Sequence, residues 1–356
     1  MRKITSTCAF LIAALLGCLT IPSYSSLQIY QRISASGIIR AGIVKTVTWS
    51  DSSKETIQIT QKGRIFVNGN EVIAFGFHIS RYGDWGDWDD TTANKALDRL
   101  MHDGLRFMEL SIPYWFYDSR SDISDLIKFW MPKLYNHKMF VFICLGQAYP
   151  VDVERQMRIV NIVIDEISKD KNWADTVFAF GYNWEMDYFF EGTSAELEAY
   201  LSNLYPRVKS TINESPIGAV PVIGKVTGPW GGDKSRSVVR WSDIPCIDIY
   251  YRIKDYDLDY DWITTEVSAF YQIIRDVGKS GINIWYTEFG LWYKNNTLFT
   301  KEKLEYGLSQ AGYHDLSLMM IWELWDRNQD GWNAFDKSGN PLDWYLRIAP
   351  YFPTSK

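Results

Sequence analysis

Two glutamates stand at the ends of short runs that are typical of β-strands. Glu185 follows the run 177–183, and Glu288 closes the run 281–288, which is rich in β-branched and aromatic residues and leads into Gly290. Cleavage of a glycosidic bond needs one carboxyl group that donates a proton and a second that attacks or stabilises the sugar. A separation of about 5 to 5.5 Å between them indicates retention of configuration, and about 6.5 to 9.5 Å indicates inversion. Glu185 and Glu288 are therefore the candidate catalytic pair.

Eight strand-like runs that alternate with helix-like windows must position these glutamates. Apolar residues recur on one helical face at Met157, Val160 and Ile164, and Thr193 with Glu196 forms a capping-box pair before a helix. Near-continuous apolar strands are typical of parallel strands covered by helices, and eight of them close a barrel. We predict an α/β fold, a (β/α)₈ TIM barrel. The main alternative is a doubly wound open sheet, which the lack of a Gly-rich loop after the first strand disfavours.

The predicted boundaries follow from the same runs. The strands are 72–80, 105–112, 139–145, 177–183, 217–226, 246–251, 282–288 and 317–322. The helices are 92–103, 123–137, 153–170, 194–212, 235–241, 265–278, 301–310 and 341–351. Residues 65–356 form the predicted catalytic barrel, residues 27–64 form an extended or β lead-in that floors it, and Asn68-Gly69 is the turn of a hairpin over 65–72.

The N-terminus has the pattern of an export signal. Met1-Arg2-Lys3 is basic, and the apolar run that follows is too short for a comfortable membrane span. We predict a signal peptide over residues 1–26, cleaved near residues 23–26, and a secreted, extracellular protein without a stable membrane span. Residues 15–18 resemble a bacterial lipobox, so a lipid anchor at Cys18 is the alternative.

Composition and charge exclude several classes of function. The chain of 356 residues is 46% hydrophobic and 22% charged, which indicates a globular protein, and its formal net charge is −6. The negative charge and the lack of a basic patch argue against a nucleic-acid partner. Cys144 and Cys246 are expected to be buried thiols. We expect a monomer whose partner is a polysaccharide or oligosaccharide substrate.

No cofactor and no metal ion are expected. The chain has four histidines, none at zinc spacing. Residues 326–331 match the first half of a calcium loop, but Lys337 stands where that loop needs a glutamate.

Tryptophan is abundant in the predicted mouth of the barrel. Sugar rings stack on such side chains through their C–H faces, so several of them in a row favour a chain substrate and an endo-acting enzyme. The candidates are Trp85, Trp88, Trp115, Trp184, Trp230, Trp322, Trp325 and Trp332.

Several short motifs support one family resemblance. They are Val67-Asn68-Gly69 leading to Gly76-Phe77-His78, Leu105-Arg106-Phe107, Asn183-Trp184-Glu185, Tyr286-Thr287-Glu288-Phe289-Gly290, Trp322, and the segment 335–341. With these motifs, residues 65–351 resemble clan A glycoside hydrolases, and most closely the cellulase family (glycoside hydrolase family five), which holds endoglucanases and β-mannanases.

The resemblance implies a retaining glycoside hydrolase that acts on β-glucan or β-mannan. Glu185 would be the acid/base and Glu288 the nucleophile. The resemblance also implies that Arg106 lies close to Glu288. The other implied substrate-binding residues are His78, Trp115, Asn183, Tyr250, Tyr286 and Trp322.

Several roles stay open at this point. Tyr286, two residues before Glu288, or Tyr250 would supply a hydroxyl to the nucleophile or the sugar. Asn183 either caps the strand end or holds the sugar's 2-hydroxyl, and Asp187 is the reserve acid should Glu185 not fill that role. Glu109, Glu191, Glu323 and Asp326 are further acids of the same rim.

The sequence also departs from the family. Trp184 separates Asn183 from Glu185, so either Asn183 is not the family's asparagine or the strand end carries an extra residue such as a bulge. The family's histidines on the third and sixth strands are replaced by residues 144–147 and 248–251. The alternative function is therefore a catalytically inactive sugar-binding TIM barrel.

Overall fold

The computed structural model describes most of the chain after the first strand. The described residues are 42–79, 88–113, 119–146, 151–254, 257–291, 300–314, 316–325 and 333–352. The predicted signal segment with Cys18, the lead-in residues 27–41, Trp115, and the calcium-like segment 326–331 lie outside them.

A small antiparallel sheet precedes the barrel. Its strands are β1 (Gly42–Thr48), β2 (Lys54–Thr60), β3 (Ile65–Val67) and β4 (Asn70–Val72), in that order. Asn68 (φ 50°) and Gly69 (φ 80°) form the tight turn between β3 and β4, because both residue types tolerate the left-handed conformation this turn requires. The predicted hairpin is present, whereas β2 was not predicted.

Eight parallel strands close into a barrel within the described part of the chain. Closure is made by the last strand on the first, with Leu318 opposite Ala74. The predicted (β/α)₈ barrel is confirmed. The barrel strands are β5 (Ala74–Ile79), β6 (Phe107–Ile112), β7 (Phe140–Leu145), β8 (Val177–Asn183), β9 (Val222–Val226), β10 (Cys246–Lys254), β12 (Trp285–Leu291) and β13 (Leu318–Ile321), and β11 (Asp257–Asp259) pairs antiparallel with β10.

Helices cover the outside of this barrel. They are α1 (Asp90–His102), α2 (Arg120–Asn136), α3 (Val153–Ile167), α4 (Lys171–Thr176), α5 (Met186–Phe189), α6 (Ser194–Glu214), α7 (Asp233–Arg240), α8 (Tyr260–Asp276), α9 (Lys301–His314) and α10 (Asp343–Ile348). The predicted capping box of α6 is present, since Thr193 and Glu196 exchange side-chain to backbone hydrogen bonds. The short helices α4 and α5 were not predicted. None of the helices among the described residues has the length and apolar character that crossing a membrane requires.

Large aromatic side chains fill the barrel interior and meet the small sheet at its N-terminal end. Phe107 and Phe140 stack with their ring centroids 5.4 Å apart, and Trp285 packs against Phe142 and Phe178. The indole N–H of Trp285 donates to the carbonyl of Gly63 over 2.9 Å. The packed lower half leaves only the C-terminal rim of the strands available for a site, as is general for this fold.

The two cysteines in the described residues are buried free thiols, as predicted. Cys144 lies on β7 and Cys246 on β10, and neither forms a disulfide.

Candidate active site

Glu288 reaches the rim because β12 carries an extra residue. Along its pairing with β10, Ile247 lies opposite Tyr286 and Asp248 lies opposite Glu288, so Thr287 is the inserted position. A bulge of this kind changes which side of the strand the following residues face. Trp285 and Glu288 therefore both point into the barrel, whereas Tyr286 points into the surrounding helical layer.

Glu288 is buried and bonded on both carboxylate oxygens. The ammonium of Lys225 on β9 lies 2.8 Å from Oε1, and the hydroxyl of Tyr250 on β10 donates to Oε2. Nε2 of His78 on β5 lies 3.9 Å from the same Oε1. Charged hydrogen bonds of this type fix both the position and the rotation of a carboxylate.

Glu185 adopts an uncommon backbone conformation at the end of β8. Its φ of 51° and ψ of 39° are left-handed, and its carbonyl accepts the backbone N–H groups of Tyr188 and Phe189, each over 3.0 Å. Few residues other than glycine take this conformation, and such positions often occur at functional sites. The turn starts the short helix α5 and sets the direction of the Glu185 side chain.

Asp187 ties this turn to the loop after β9. Its Oδ1 accepts the backbone N–H of Thr227 over 3.0 Å, and its Oδ2 accepts the hydroxyl of Ser235 over 2.9 Å. Burial raises the pKa of Asp187 to about 6. Because both oxygens accept hydrogen bonds from the protein, Asp187 supports the turn that carries Glu185.

Three carboxyl groups converge above the barrel. Within the described residues, one carboxylate oxygen from each of Glu185, Asp248 and Glu288 lies within 4.8 Å of the other two. This spacing would also suit a bound metal ion. Glu185 keeps some exposure to solvent. Burial of its carboxyl and the nearby charge of Glu288 nevertheless raise its pKa to about 8. Burial and Glu288 also raise the pKa of Asp248 well above its ordinary value.

Lys225 is the cation at the centre of this cluster. Its Nζ lies 3.1 Å from Glu109 and 3.6 Å from Asp248, in addition to its contact with Glu288. Burial lowers the pKa of Lys225, but the three carboxylates outweigh burial and raise this pKa well above its ordinary value. Sequence reasoning missed both Lys225 and Asp248. The available signal was a single lysine inside the otherwise apolar strand β9.

Two tryptophans and a histidine line the same end of the barrel. The His78 ring lies 4.4 Å from that of Trp322, and Trp184 lies 6.0 Å from Trp322. Nε2 of His78 is 2.9 Å from the hydroxyl of Ser111 and 3.3 Å from Glu109. The predicted site residues His78, Tyr250 and Trp322 are thus brought together with Glu288. Trp184 and Trp322 are only 4% and 5% exposed, so they pack against each other more than they face an open groove.

Asn183 is buried at the end of β8, where its amide oxygen lies beside Gly224 of β9 and Val238 of α7. The pairing of β8 with β9 shifts between Gly181 and Asn183, which identifies Tyr182 as an extra residue in the strand. The amide oxygen and nitrogen of Asn183 have no hydrogen-bond partner among the described residues. The strand end thus does carry an inserted residue, and the amide of Asn183 has bonding capacity to spare.

Two predicted positions are wrong, and one lies outside the described residues. Arg106 precedes β6 at the floor, where it bonds Glu55 over 2.5 Å and the carbonyl of Lys138 over 2.7 Å, so it does not lie near Glu288. Tyr286 stacks on Phe289 outside the barrel because of the bulge at Thr287, so its hydroxyl does not reach the nucleophile. Trp115 lies outside the described residues.

Not all of the tryptophans predicted to bind sugar lie at the mouth of the barrel. Trp88 is buried in the helical layer and stacks on Trp325, with ring centroids 5.8 Å apart. It is therefore a core residue and not a platform for sugar.

Comparisons with known proteins show the fold. No protein-family model matches the sequence, and no curated protein matches it. Similar solved structures include a cellulase of glycoside hydrolase family 5 from an Icelandic hot spring isolate, at 13% identity and a TM-score of 0.56, covering 89% of this chain and 98% of that one. The alkaline cellulase K catalytic domain is also similar, at 13% identity and a TM-score of 0.55, covering 89% of this chain and 97% of that one.

A third similar structure is larger than this chain. The β-glucuronidase from Ruminococcus gnavus in complex with D-glucuronic acid has 14% identity and a TM-score of 0.55, with 83% of this chain covered. This chain spans about half of that protein, since only 52% of it is covered. At such identities the likeness establishes the barrel fold.

Proposed function

We propose that this protein is a retaining glycoside hydrolase that cleaves β-linked glycans of the β-glucan or β-mannan type. The observation that carries the proposal is the approach of the Glu185 and Glu288 carboxyls, whose oxygens lie within 4.8 Å of each other at the C-terminal ends of β8 and β12. An approach this close favours the shorter carboxyl separation of retaining enzymes, roughly 5 to 5.5 Å, over the roughly 6.5 to 9.5 Å of inverting ones.

The reaction proceeds in two displacements. In the first, a Glu288 oxygen attacks the anomeric carbon while the bond to the leaving oxygen breaks, and Glu185 gives that oxygen its proton. In the second, Glu185 takes a proton from water, which attacks the same carbon and releases Glu288. The raised pKa of Glu185, about 8, supports its role as the group that starts protonated.

The surroundings of the pair support a sugar ligand. Tyr188 and Phe189, on the short helix that follows Glu185, are 72% and 41% exposed and contact each other edge to face. Exposed aromatic rings next to a catalytic acid suit an extended glycan and endo action.

The basic and apolar N-terminal segment supports secretion, so we place the proposed substrate outside the cell. The expected form is a monomer acting without a cofactor.

A substrate screen tests the proposed function. Purified protein is incubated with β-glucans, β-mannans and xylans, and newly formed reducing ends are measured. We expect release from at least one β-glucan or β-mannan, abolished in Glu288→Gln and retained in the control Glu214→Gln, whose side chain is exposed at the end of α6. Glycan binding without hydrolysis would instead establish the inactive sugar-binding barrel.

Chemical rescue separates the acid/base from its neighbours. Glu185→Ala should lose activity on natural glycans, and azide should restore turnover of substrates with activated leaving groups. Rescue of Asp187→Ala instead of Glu185→Ala would reassign the acid role.

A further inference from the structure

We propose that Lys225 is the positioning residue of Glu288, the buried counter-charge that holds this carboxylate in its reactive orientation among several other acids. The proposal rests on the proposed function, because it assigns Lys225 a role in preparing the nucleophile of that reaction. Lys225 would not itself contact the reacting atoms.

The geometry places the ammonium of Lys225 at the junction of three strands. From β9, its Nζ reaches Glu288 on β12 over 2.8 Å, Glu109 on β6 over 3.1 Å and Asp248 on β10 over 3.6 Å. The side chain is fully buried, and its Nζ lies 5.1 Å from the ring centroid of Trp184. A lysine ammonium has three donors and no acceptor, which suits a point shared by three carboxylates.

The acidic groups around Glu288 need a buried positive charge among them. Two carboxylates that approach closely resist joint ionisation, and burial adds to this cost. The titratable groups grouped around Glu288 in the described residues are His78 on β5, Glu109 on β6, Cys144 on β7, Glu185 after β8, Lys225 on β9, and Asp248 and Tyr250 on β10. Among these groups, Lys225 is the basic side chain within 3 Å of Glu288, while His78 lies 3.9 Å away.

Arg106, which was expected to lie beside Glu288, does not contact it. Arg106 immediately precedes β6 and bonds Glu55 at the floor of the barrel, whereas Glu109 lies in the middle of that strand. Glu288 therefore draws its nearest positive charge from β9. A planar guanidinium is shaped to bond one carboxylate with two parallel N–H groups, so it would not serve three carboxylates in the way Lys225 does.

The test compares kcat and KM of Lys225→Met and Lys225→Arg with wild type, on the glycan found by the screen. Without the ammonium, Glu288 loses the contact that fixes its Oε1, so kcat should fall by roughly 100-fold, as when one stabilising charge is lost from a preorganised site. KM should change little, because the substitution removes no contact proposed for the sugar. Lys225→Arg keeps the positive charge and should show a smaller loss of kcat.

A charge-compensated variant guards against misfolding. Lys225→Met leaves buried acids without a partner, whereas Lys225→Met combined with Glu109→Gln removes one positive and one negative charge together. The double variant should fold and still show the lowered kcat, with Glu109→Gln alone as its control. Thermal unfolding is measured for every variant.

The outcomes distinguish this proposal from the proposed function. If wild type hydrolyses no glycan, or Glu288→Gln keeps full activity, the proposed function itself is refuted. If wild-type activity depends on Glu288 but the folded Lys225→Met protein and the double variant keep the wild-type kcat and lose only thermal stability, Lys225 is a structural residue and the positioning role is overturned.

Discussion

The hydroxyl of Tyr250 donates a hydrogen bond to Oε2 of Glu288, the oxygen that Lys225 does not contact. The two partners approach the carboxylate from the neighbouring strands β9 and β10, and together they fix both of its oxygens. Glu288 thus enters any reaction already oriented, which is the preorganisation that catalysis by positioning requires.

Loss of the Tyr250 hydroxyl should reduce the rate. A hydrogen bond to a charged group contributes about 1.5 to 3 kcal/mol, so Tyr250→Phe should lower kcat/KM by roughly 10- to 150-fold while the protein stays folded. Tyr182→Phe is the matched control, since its hydroxyl bonds the carbonyl of Trp241 in the helical layer over 2.7 Å. That control should lose stability and keep its rate. An unchanged rate in Tyr250→Phe would remove this residue from the site.

Activity should decline as pH rises through about 8. Glu185 must carry its proton to act as the acid, and its pKa is raised to about 8, so the protonated form persists through neutral pH and is lost above that value. The alkaline limb of kcat/KM should therefore fall near pH 8. In Glu185→Gln, the residual activity on substrates with activated leaving groups should lack this limb. An alkaline limb that persists in this variant would belong to another group, with Asp248 the nearest candidate.

Arg106 should matter for stability and not for rate. Arg106→Gln loses its charged bond to Glu55 and its stacking over Trp49, with the guanidinium carbon 5.7 Å from the ring centroid. We expect a decrease of about 1.5 to 3 kcal/mol in the free energy of unfolding by urea. The folded enzyme should keep its kcat.

The control for Arg106 is an exposed ion pair. Arg120 contacts Asp165 over 2.5 Å with both side chains more than half exposed, so Arg120→Gln should cost no more than about 1 kcal/mol. A fall in kcat for fully folded Arg106→Gln would return Arg106 to the active site.

Removal of the Tyr188 side chain should weaken the binding of long substrates only. Its ring is 72% exposed on the helix that follows Glu185, so Tyr188→Ala should not change thermal stability. Loss of one stacking contact should raise KM for a polymeric glycan by roughly 3- to 10-fold and leave small aryl glycosides unaffected. The control is Val44→Ala, an exposed apolar residue of β1 in the floor sheet. Equal KM values for the polymer in wild type and Tyr188→Ala would exclude a binding surface there.

Sequence patterns were sufficient to predict the barrel fold and to place Glu185 and Glu288 at the ends of two of its strands. The eight apolar runs have a period and length that only parallel, helix-covered strands explain, and each glutamate sits where a run ends. The hairpin turn at Asn68-Gly69 was equally readable, since few residue pairs adopt its left-handed geometry.

The errors came from local irregularities that periodicity does not reveal. Alternation along β12 puts Tyr286 and Glu288 on one face, but the inserted Thr287 separates them. Arg106 stands before the first residue of β6, Phe107, so a shift of a few residues in reading the strand moves it from the rim to the floor. Lys225 was overlooked because its role depends on contacts with acids on three other strands. These strands are far apart in sequence, and only the closed barrel brings them together.

The most direct test of the central claim is to trap the covalent intermediate. The enzyme is treated with a 2-deoxy-2-fluoro glycoside of the sugar identified by the substrate screen, digested, and mapped by mass spectrometry. We predict one added glycosyl group, carried by Glu288. Label on Asp248 or Glu185, or rapid turnover with inverted product and no label, would contradict the assignment of Glu288 as the nucleophile.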